Sequence, residues 1–470
     1  MTDILIVGAG SAGSVLAERL SADERCSVTV VEWGPAAADA RVARQITDGL
    51  RLPIGPASSV VRRYESVLTE QPRRVAQIMR GSVIGGSGAV NGGYFCRALP
   101  SDFDSWDLPG WSWADVLPHF RAIENDLDFD TKVHGRHGPI RVRRVAEFDG
   151  ATASFVDSAR AAGYRWIDDL NGATADRSVP EGVGAVPLNI DGGHRVGPGG
   201  AFLQPALGRS NLTVRTDTRV SRLLLRGTTA VGVQGVGPDG PIDLMADRIV
   251  LCAGAIETAR LLLTSGIGPA SGLCAAGVAV VADLPVGVAT VDHPEWVLPV
   301  AWMPTNGVPP LEAILATGDG VEIRPYTAGF GVMTDSGRDD PADHPHLGVT
   351  LMRPRSRGRV GIKGNDLVIE HRYDSEPSDV ETLRLATELA QELAGSAAQA
   401  APSWATSQHL CGTARMGPDS DDGAVVDTRC RVFGVDGLSV VDGSILPMAP
   451  SRGPHATIVM IGHRAAEFFS

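Results

Sequence analysis

Lysine is nearly missing from this 470-residue chain: Lys132 and Lys363 are the only two, and the remaining basic residues are arginine. That bias is a codon-usage signature of a GC-rich, actinobacterial type of genome, and it carries no mechanism. Positive charge is also scarce overall, with 42 basic against 55 acidic residues and a net charge of -13. A surface of that sign repels phosphate backbones and excludes nucleic acid as a partner. The six cysteines (Cys26, Cys96, Cys252, Cys274, Cys411, Cys430) form no CxxC pair and no metal-like spacing. Free thiols packed as small hydrophobes in a reducing cytoplasm are expected. No uncharged apolar run reaches the ~18 residues of a membrane span. The first strand is expected from Asp3, which leaves no room for a signal peptide. Contact with the inner face of the membrane stays open as a peripheral one. His344 and His346 form a DHPH pair without a third ligand, so no metal is expected.

Glycine and proline are plentiful instead, at 56 and 31, and imply many turns and close backbone approaches. The length predicts two closely packed domains. Residues 3–7 (DILIV) read as a buried parallel strand. GAGSAG follows at once, with Gly8, Gly10 and Gly13 in a GxGxxG pattern and Ser11 and Ala12 inside the same turn. An amphipathic helix to about Leu20 and a second strand from Ser27 to Val31 come next, and that strand ends at Glu32. Each part has a task in dinucleotide binding. Gly8 permits the tight turn, Gly10 admits the pyrophosphate, and Gly13 lets the helix pack on the strand. The helix N-terminus favours the anion, and Glu32 would accept from ribose hydroxyls. That carboxylate disfavours NADP, but the motif does not choose between FAD and NAD.

A second glycine cluster, RGSVIGGSGAVNGG from Arg80 to Gly93, bares its backbone at Gly85, Gly86, Ser87 and Gly88, and Asn91 adds an amide. It reads equally as a plain loop or as a contact to pyrophosphate or a flavin ring. Near the C-terminus, SQHLCGTARMG surrounds His409 and APSRGPHATIVMIG surrounds His455. Histidine suits proton transfer near neutral pH because its ordinary pKa is about 6.5. Taken singly, each is better explained as a polar core residue or a helix cap.

Together these segments resemble the glucose–methanol–choline (GMC) family of FAD oxidoreductases. Arg80 to Asn91 is similar to the family's RGxxxGGSSxxN motif, with Gly88 for the second serine. Further resemblances are DFDSWDLPGWSWADVLPHFRAIE (102–124), HGRHGPIRV (134–142), the stretch 193–220, GAIETARLLLTSGIGP (254–269), VGVATVDHP (286–294) and VVDGSILP (440–447). Only about 295–400 lacks a recognisable motif, and there the family builds its substrate pocket.

The resemblance implies an α/β fold: a Rossmann-type FAD-binding domain with a parallel sheet and helices, plus an α+β substrate domain on an antiparallel sheet. The former would take residues 1–140, 193–294 and 405–470, and the latter 141–192 and 295–404. FAD would be bound without a covalent bond, because Val90 stands where some members carry a flavin-linking histidine. Val220 would sit near the adenine, Asp442 and Gly443 by the pyrophosphate or ribityl chain, and Thr457 and Ile458 beneath the flavin. His409 would be the base, and His455 would orient the substrate oxygen.

The implied reaction is oxidation of an alcohol to a carbonyl, with hydride passed to flavin N5. The substrate would be a small-molecule or peptide-derived alcohol. Gln408, where many relatives place an aromatic, and Ser407 suggest a wider or more polar pocket. For the electrons, a non-oxygen acceptor is slightly favoured. The compact length and arginine-rich composition fit short actinobacterial members associated with the redox cofactor mycofactocin, in which electrons would pass toward the respiratory chain. An oxygen-using oxidase making hydrogen peroxide and a hydroxynitrile lyase with structural FAD are the alternatives. The other nine histidines are expected to be ordinary polar core or surface residues.

Overall fold

A computed structural model of the chain describes residues 2–36, 39–172, 180–336, 342–364 and 366–469. The N-terminal apolar run forms β1 (Thr2–Val7), which begins one residue before the expected Asp3. Ile4, Leu5 and Ile6 are each no more than 3% exposed, as a strand covered on both faces requires. β1 pairs in parallel with β2 (Val28–Val31) on one side and with Gly240–Leu251 on the other. Leu212–Arg215 adds beyond β2, and Leu438–Val440 adds beside Gly240–Leu251, both in parallel. Five strands, some far apart along the chain, therefore build one parallel layer. The strands Arg219–Arg226 and Thr229–Gly237 extend it as an antiparallel meander.

Two helices cross on this layer. α1 (Ser11–Leu20) follows the first glycine turn, and the last long helix runs from His455 to Ala465. They approach so closely that a Cβ at Gly462 would lie 2.7 Å from the Ala12 carbonyl oxygen. A side chain there would push the helices apart, and the position of His455 depends on that crossing.

A second sheet of seven strands is antiparallel except for its last pair. Its order is Ser403–Thr406, Pro294–Pro299, His346–Leu351, Val321–Pro325, Ala313–Ala316, Gly182–Ala185 and Trp166–Ile167. The helices Gly150–Ala161 and Pro377–Ala394 share one core with it through Phe155, Leu383, Leu298 and Ile323. Side chains alternate across a strand. Glu295, Glu322 and Arg324 therefore fall on the opposite face, toward the first sheet. A third, four-stranded sheet joins the hairpin Val61–Glu70 and Arg73–Gly81 to Arg359–Lys363 and Asp366–Glu370. Among the described residues, no helix is long and apolar enough to cross a membrane.

Candidate active site

One cavity runs between the sheets. Glu32, Trp33 and Val220 line one end, Gly8, Gly10 and Gly86 the middle, and His409 and His455 the other end. The glycine turn is built by sterics. Gly8 has φ +105°, and a Cβ there would meet the Cys252 carbonyl oxygen at 2.4 Å. A Cβ at Gly13 would meet the Gly8 carbonyl oxygen at 2.0 Å, so that glycine lets α1 pack on the turn. Gly10 differs: the nearest protein atom to its Cβ would be 3.7 Å away, in ordinary contact. Packing does not require glycine there, so the requirement comes from the cavity it lines. Gly86 comes so near that its Cβ would lie 2.7 Å from the Gly10 Cα, which joins the two glycine clusters into one bare-backbone cradle.

Glu32 accepts from the Ala9 amide at 2.9 Å and from the Gly34 amide at 2.8 Å. Burial pushes its carboxyl up to about 7 against those two bonds. Trp33 beside it is flanked by the guanidiniums of Arg62 and Arg219, each 4.3 Å from the ring centroid. In the second cluster, Ser87 Oγ accepts from the Gly81 amide at 3.1 Å and Asn91 Oδ1 from the Gly93 amide at 3.0 Å. Gly85, at φ +95°, donates its amide to the Ala9 carbonyl at 2.7 Å. Arg195 ties this loop from behind: it is buried and bonds the backbone carbonyls of Ile46, Arg51, Ala89 and Asn91. No sequence signal singled it out, because nothing local marks an arginine whose partners are all distant carbonyls.

Asp442 lines the cavity, but its carboxylate is fully engaged by the protein. Oδ1 accepts from the Ser444 amide at 2.7 Å, and Oδ2 accepts from the Gly254 amide and the Thr258 hydroxyl at 2.8 and 2.7 Å. It fixes the start of the helix Gly254–Thr264 where that helix faces the cavity. Ser11, Ala12, Gly443 and Ile458 reach the lining; Gly13, Gly85 and Thr457 stand behind it. Thr457 is fully buried, and its hydroxyl has no hydrogen-bond partner among the described residues.

The two histidines arrive from opposite directions. His455 begins the last long helix, its Nδ1 3.4 Å from Ser11 Oγ and its ring edge-on to Phe95. Its Nε2 is buried without a hydrogen-bond partner among the described residues. Burial and the charge of Arg195 push His455 down to about 4. His409 follows the edge strand Ser403–Thr406 through Gln408, whose φ of +60° is rare for a residue with a side chain. Asp292 holds that turn: Oδ1 accepts the His409 amide at 2.7 Å, and Oδ2 accepts the Thr406 and Tyr373 hydroxyls. Gln408 Oε1 accepts the Met79 amide at 2.8 Å, which ties the turn to the hairpin. His409 Nδ1 lies 2.8 Å from Nδ1 of His293, a residue the sequence reading left among the ordinary histidines. Burial first, then the neighbouring His293, Arg324, Arg80 and His455, hold His409 well below the usual histidine range. A neutral imidazole poised beside a cavity is equipped to accept a proton.

Beyond His409 the wall is polar. Ser407 Oγ donates to Glu295 at 2.6 Å, and Arg324 bonds Glu322 through two nitrogens at 2.9 and 2.7 Å. Arg452 and the Tyr94 hydroxyl also bond Glu322. Glu295, Arg324 and Tyr94 all line the cavity. They lay in the motif-poor stretch or outside any recognised role; alternation along two strands would have flagged Glu295 and Arg324, and nothing local would have flagged Tyr94.

The residues fit a flavin dinucleotide. The cradle leaves its backbone open at Gly10, the acid Glu32 lines the same cavity, and two buried nitrogens of its lining residues, Arg80 Nη2 and His455 Nε2, have no hydrogen-bond partner among the described residues. The architecture is thus that of a dinucleotide-dependent oxidoreductase with its chemistry at the interface of two sheets.

The GMC oxidoreductase family profiles match residues 2–295 and 354–462. An uncharacterized GMC-type oxidoreductase of Rhodococcus erythropolis is 40% identical, over 99% of this chain and 97% of the relative. An oxygen-dependent choline dehydrogenase of Brucella ovis is 30% identical, over 99% and 95%. Among solved structures, pyridoxine 4-oxidase of Mesorbium loti superposes with a TM-score of 0.88 at 30% identity, covering 99% of both chains. A formate oxidase of Aspergillus oryzae, at 21% identity and TM-score 0.86, shares the fold. The chain belongs to the GMC oxidoreductase family, and it is an FAD-dependent alcohol oxidoreductase.

Proposed function

We propose that this enzyme oxidises a polar alcohol to a carbonyl, with His409 as the base for the hydroxyl proton and His455 as the group orienting the substrate oxygen. The convergence of both histidines on the cavity that the glycine cradle also lines supports this reading. FAD, held without a covalent bond, supplies the hydride acceptor when bound. Gly8, Gly10, Ser11, Ala12 and Gly13 with Glu32 hold its ADP half. Gly85, Gly86, Ser87 and Asn91, together with Asp442, Gly443 and Ile458, surround the rest, with Val220 near the adenine and Thr457 behind the flavin.

His409 is neutral at physiological pH and takes the proton without first losing one. His455 Nε2 has no hydrogen-bond partner among the described residues, so it is available to a substrate oxygen. The charged wall of Glu295 and Arg324 suits a substrate with polar substituents. Simple aryl alcohols gain nothing from those groups, which already hydrogen-bond Ser407 and Glu322 within the wall.

For the acceptor, a non-oxygen carrier of the mycofactocin-linked, respiratory type remains our reading, and it rests on the composition and the Rhodococcus relative. A specific observation favours a second reading, oxygen itself: two relatives are named as oxygen-dependent or as an oxidase. Photoreducing the bound flavin without air, admitting air and timing the return of visible absorbance separates the two. Return within seconds means an oxidase and abandons the carrier; persistence of the reduced form for minutes supports it. Substrate-dependent bleaching of the flavin excludes the lyase.

A further inference from the structure

His293 hydrogen-bonds at both ring nitrogens, and its two partners are not equivalent. Nε2 lies 3.0 Å from the Pro450 carbonyl oxygen, which can only accept. Nδ1 lies 2.8 Å from Nδ1 of His409. The side chain is fully buried, and burial keeps the ring neutral. A neutral imidazole carries one N–H. The carbonyl fixes that hydrogen on Nε2, which makes Nδ1 of His293 an acceptor. His409 Nδ1 must therefore be the donor of the pair, and its Nε2 carries the lone pair. The rings stand edge to face, with centroids 5.0 Å apart and an interplanar angle of 87°, so neither can exchange roles by a small rotation.

We propose that His293 is a positioning residue that locks His409 in the Nδ1–H tautomer, leaving the Nε2 lone pair for the substrate proton. The inference rests on the base role given to His409 above. The order is strict: Pro450 carbonyl, His293 Nε2–H, His293 Nδ1, His409 Nδ1–H, His409 Nε2. When the substrate O–H bond breaks, the proton forms a new N–H bond at Nε2. The resulting imidazolium keeps its Nδ1–H bond to the neutral His293 acceptor, which eases the charge in a dry site. Without His293 the two neutral tautomers of His409 compete, and the one protonated on Nε2 cannot act as a base toward the cavity. Asp292 serves the same end from the backbone by accepting the amides of both His293 and His409 through Oδ1.

The test needs no substrate. Holoenzyme labelled with 15N-histidine, with His409 assigned by its loss in a His409→Ala sample, reports the protonation of each ring nitrogen at pH 7.5. Expected is a pyrrole-type signal for Nδ1 and a pyridine-type signal for Nε2 of His409. A pyrrole-type Nε2 in the wild type overturns the proposal outright, and this measurement stands even where a variant fails to fold. In His293→Leu the pyridine-type Nε2 signal should be lost to exchange between tautomers. His293→Asn, whose amide oxygen replaces the Nδ1 acceptor, should restore it. If Leu leaves the signal unchanged, or Asn restores nothing, His293 does not set the tautomer. The base role fails separately, if His409→Ala reduces its flavin with an alcohol as fast as wild type.

Discussion

At the scale of single residues, the site depends on how burial treats histidine. A dry, well-packed environment lowers the pKa of an imidazole because it opposes the charged form, and His409 also faces two arginines and two histidines. The consequence is a sign for the pH profile. The base must be neutral to work, and its pKa is depressed, so flavin reduction should be flat from neutral pH upward. The acid limb of kcat/KM should fall clearly below the ordinary histidine value of about 6.5. Stopped-flow reduction between pH 5 and 9 checks this, and a midpoint above 7 contradicts it. Replacing His409 with alanine should keep the protein yellow but slow reduction by roughly 10²–10⁴-fold, the usual contribution of a positioned acid–base group. Retained speed removes the base assignment.

At the scale of elements, the two glycines of the first turn predict different failures. Gly13 is required by the protein, because its Cβ would stand 2.0 Å from the Gly8 carbonyl oxygen. Gly10 is required by the cavity, because a Cβ there meets only ordinary contacts. Gly10→Val should therefore fold, with a normal circular dichroism spectrum, and purify colourless. Gly13→Val should lose the fold or lose several kcal/mol, on the order of an overpacked core. A yellow Gly10→Val protein contradicts the cradle. Arg195 belongs to this scale too, because it clips two loops through four carbonyls. Changing it to methionine leaves those acceptors buried and unpaired at about 1–3 kcal/mol each, and the midpoint of thermal unfolding should fall by several degrees, in apoprotein as well as in holoenzyme.

At the scale of the whole molecule, two sets of buried histidines oppose each other in pH. His134 sits fully buried among Glu124, Asp126 and Asp169, with Arg97 and Arg144 completing the cluster. Glu124, Asp126 and His134 have a spacing that could hold a metal ion, but two guanidiniums already supply cations there. Burial alone would lower the pKa of His134; its hydrogen bonds to Asp126, Asp169 and Glu124 overcome it and raise the value to about 10. A raised histidine stabilises the fold fully below the unfolded value of about 6.5, and that contribution is lost as pH climbs from there toward 10. His293, His455 and His463 are each pushed down to about 4. Their neutrality costs nothing above about 6.5 and costs progressively more as pH falls toward 4. Urea unfolding should thus show a stability maximum close to pH 6.5. His134→Gln should flatten the alkaline side, a difference of roughly 2–5 kcal/mol between pH 6.5 and 10. An unchanged alkaline slope in that variant refutes the assignment.

The sequence by itself determined the parts whose physics is local. A buried apolar run, a turn that only glycine can make and a helix behind it lie within 20 residues, so the strand–turn–helix geometry from Gly8 to Gly13 was readable in full. Glu32, at the end of the next strand, was readable too. The family motifs carried the two-sheet architecture and drew attention to His409 and His455, because those segments keep their residue patterns. Only the tertiary structure decided what those groups do to one another. Gly462 sets the crossing that brings His455 to Ser11, yet in sequence it is one small residue in a helix. His293 appeared to be an ordinary histidine because its partners, Pro450 and His409, are far away along the chain. The wall of Glu295, Glu322 and Arg324 sits on two strands whose alternation is visible but whose outward face is not, until a second sheet covers it. Local sterics can be read from neighbours in sequence; tautomers, ion pairs and cavity walls are fixed by neighbours in space.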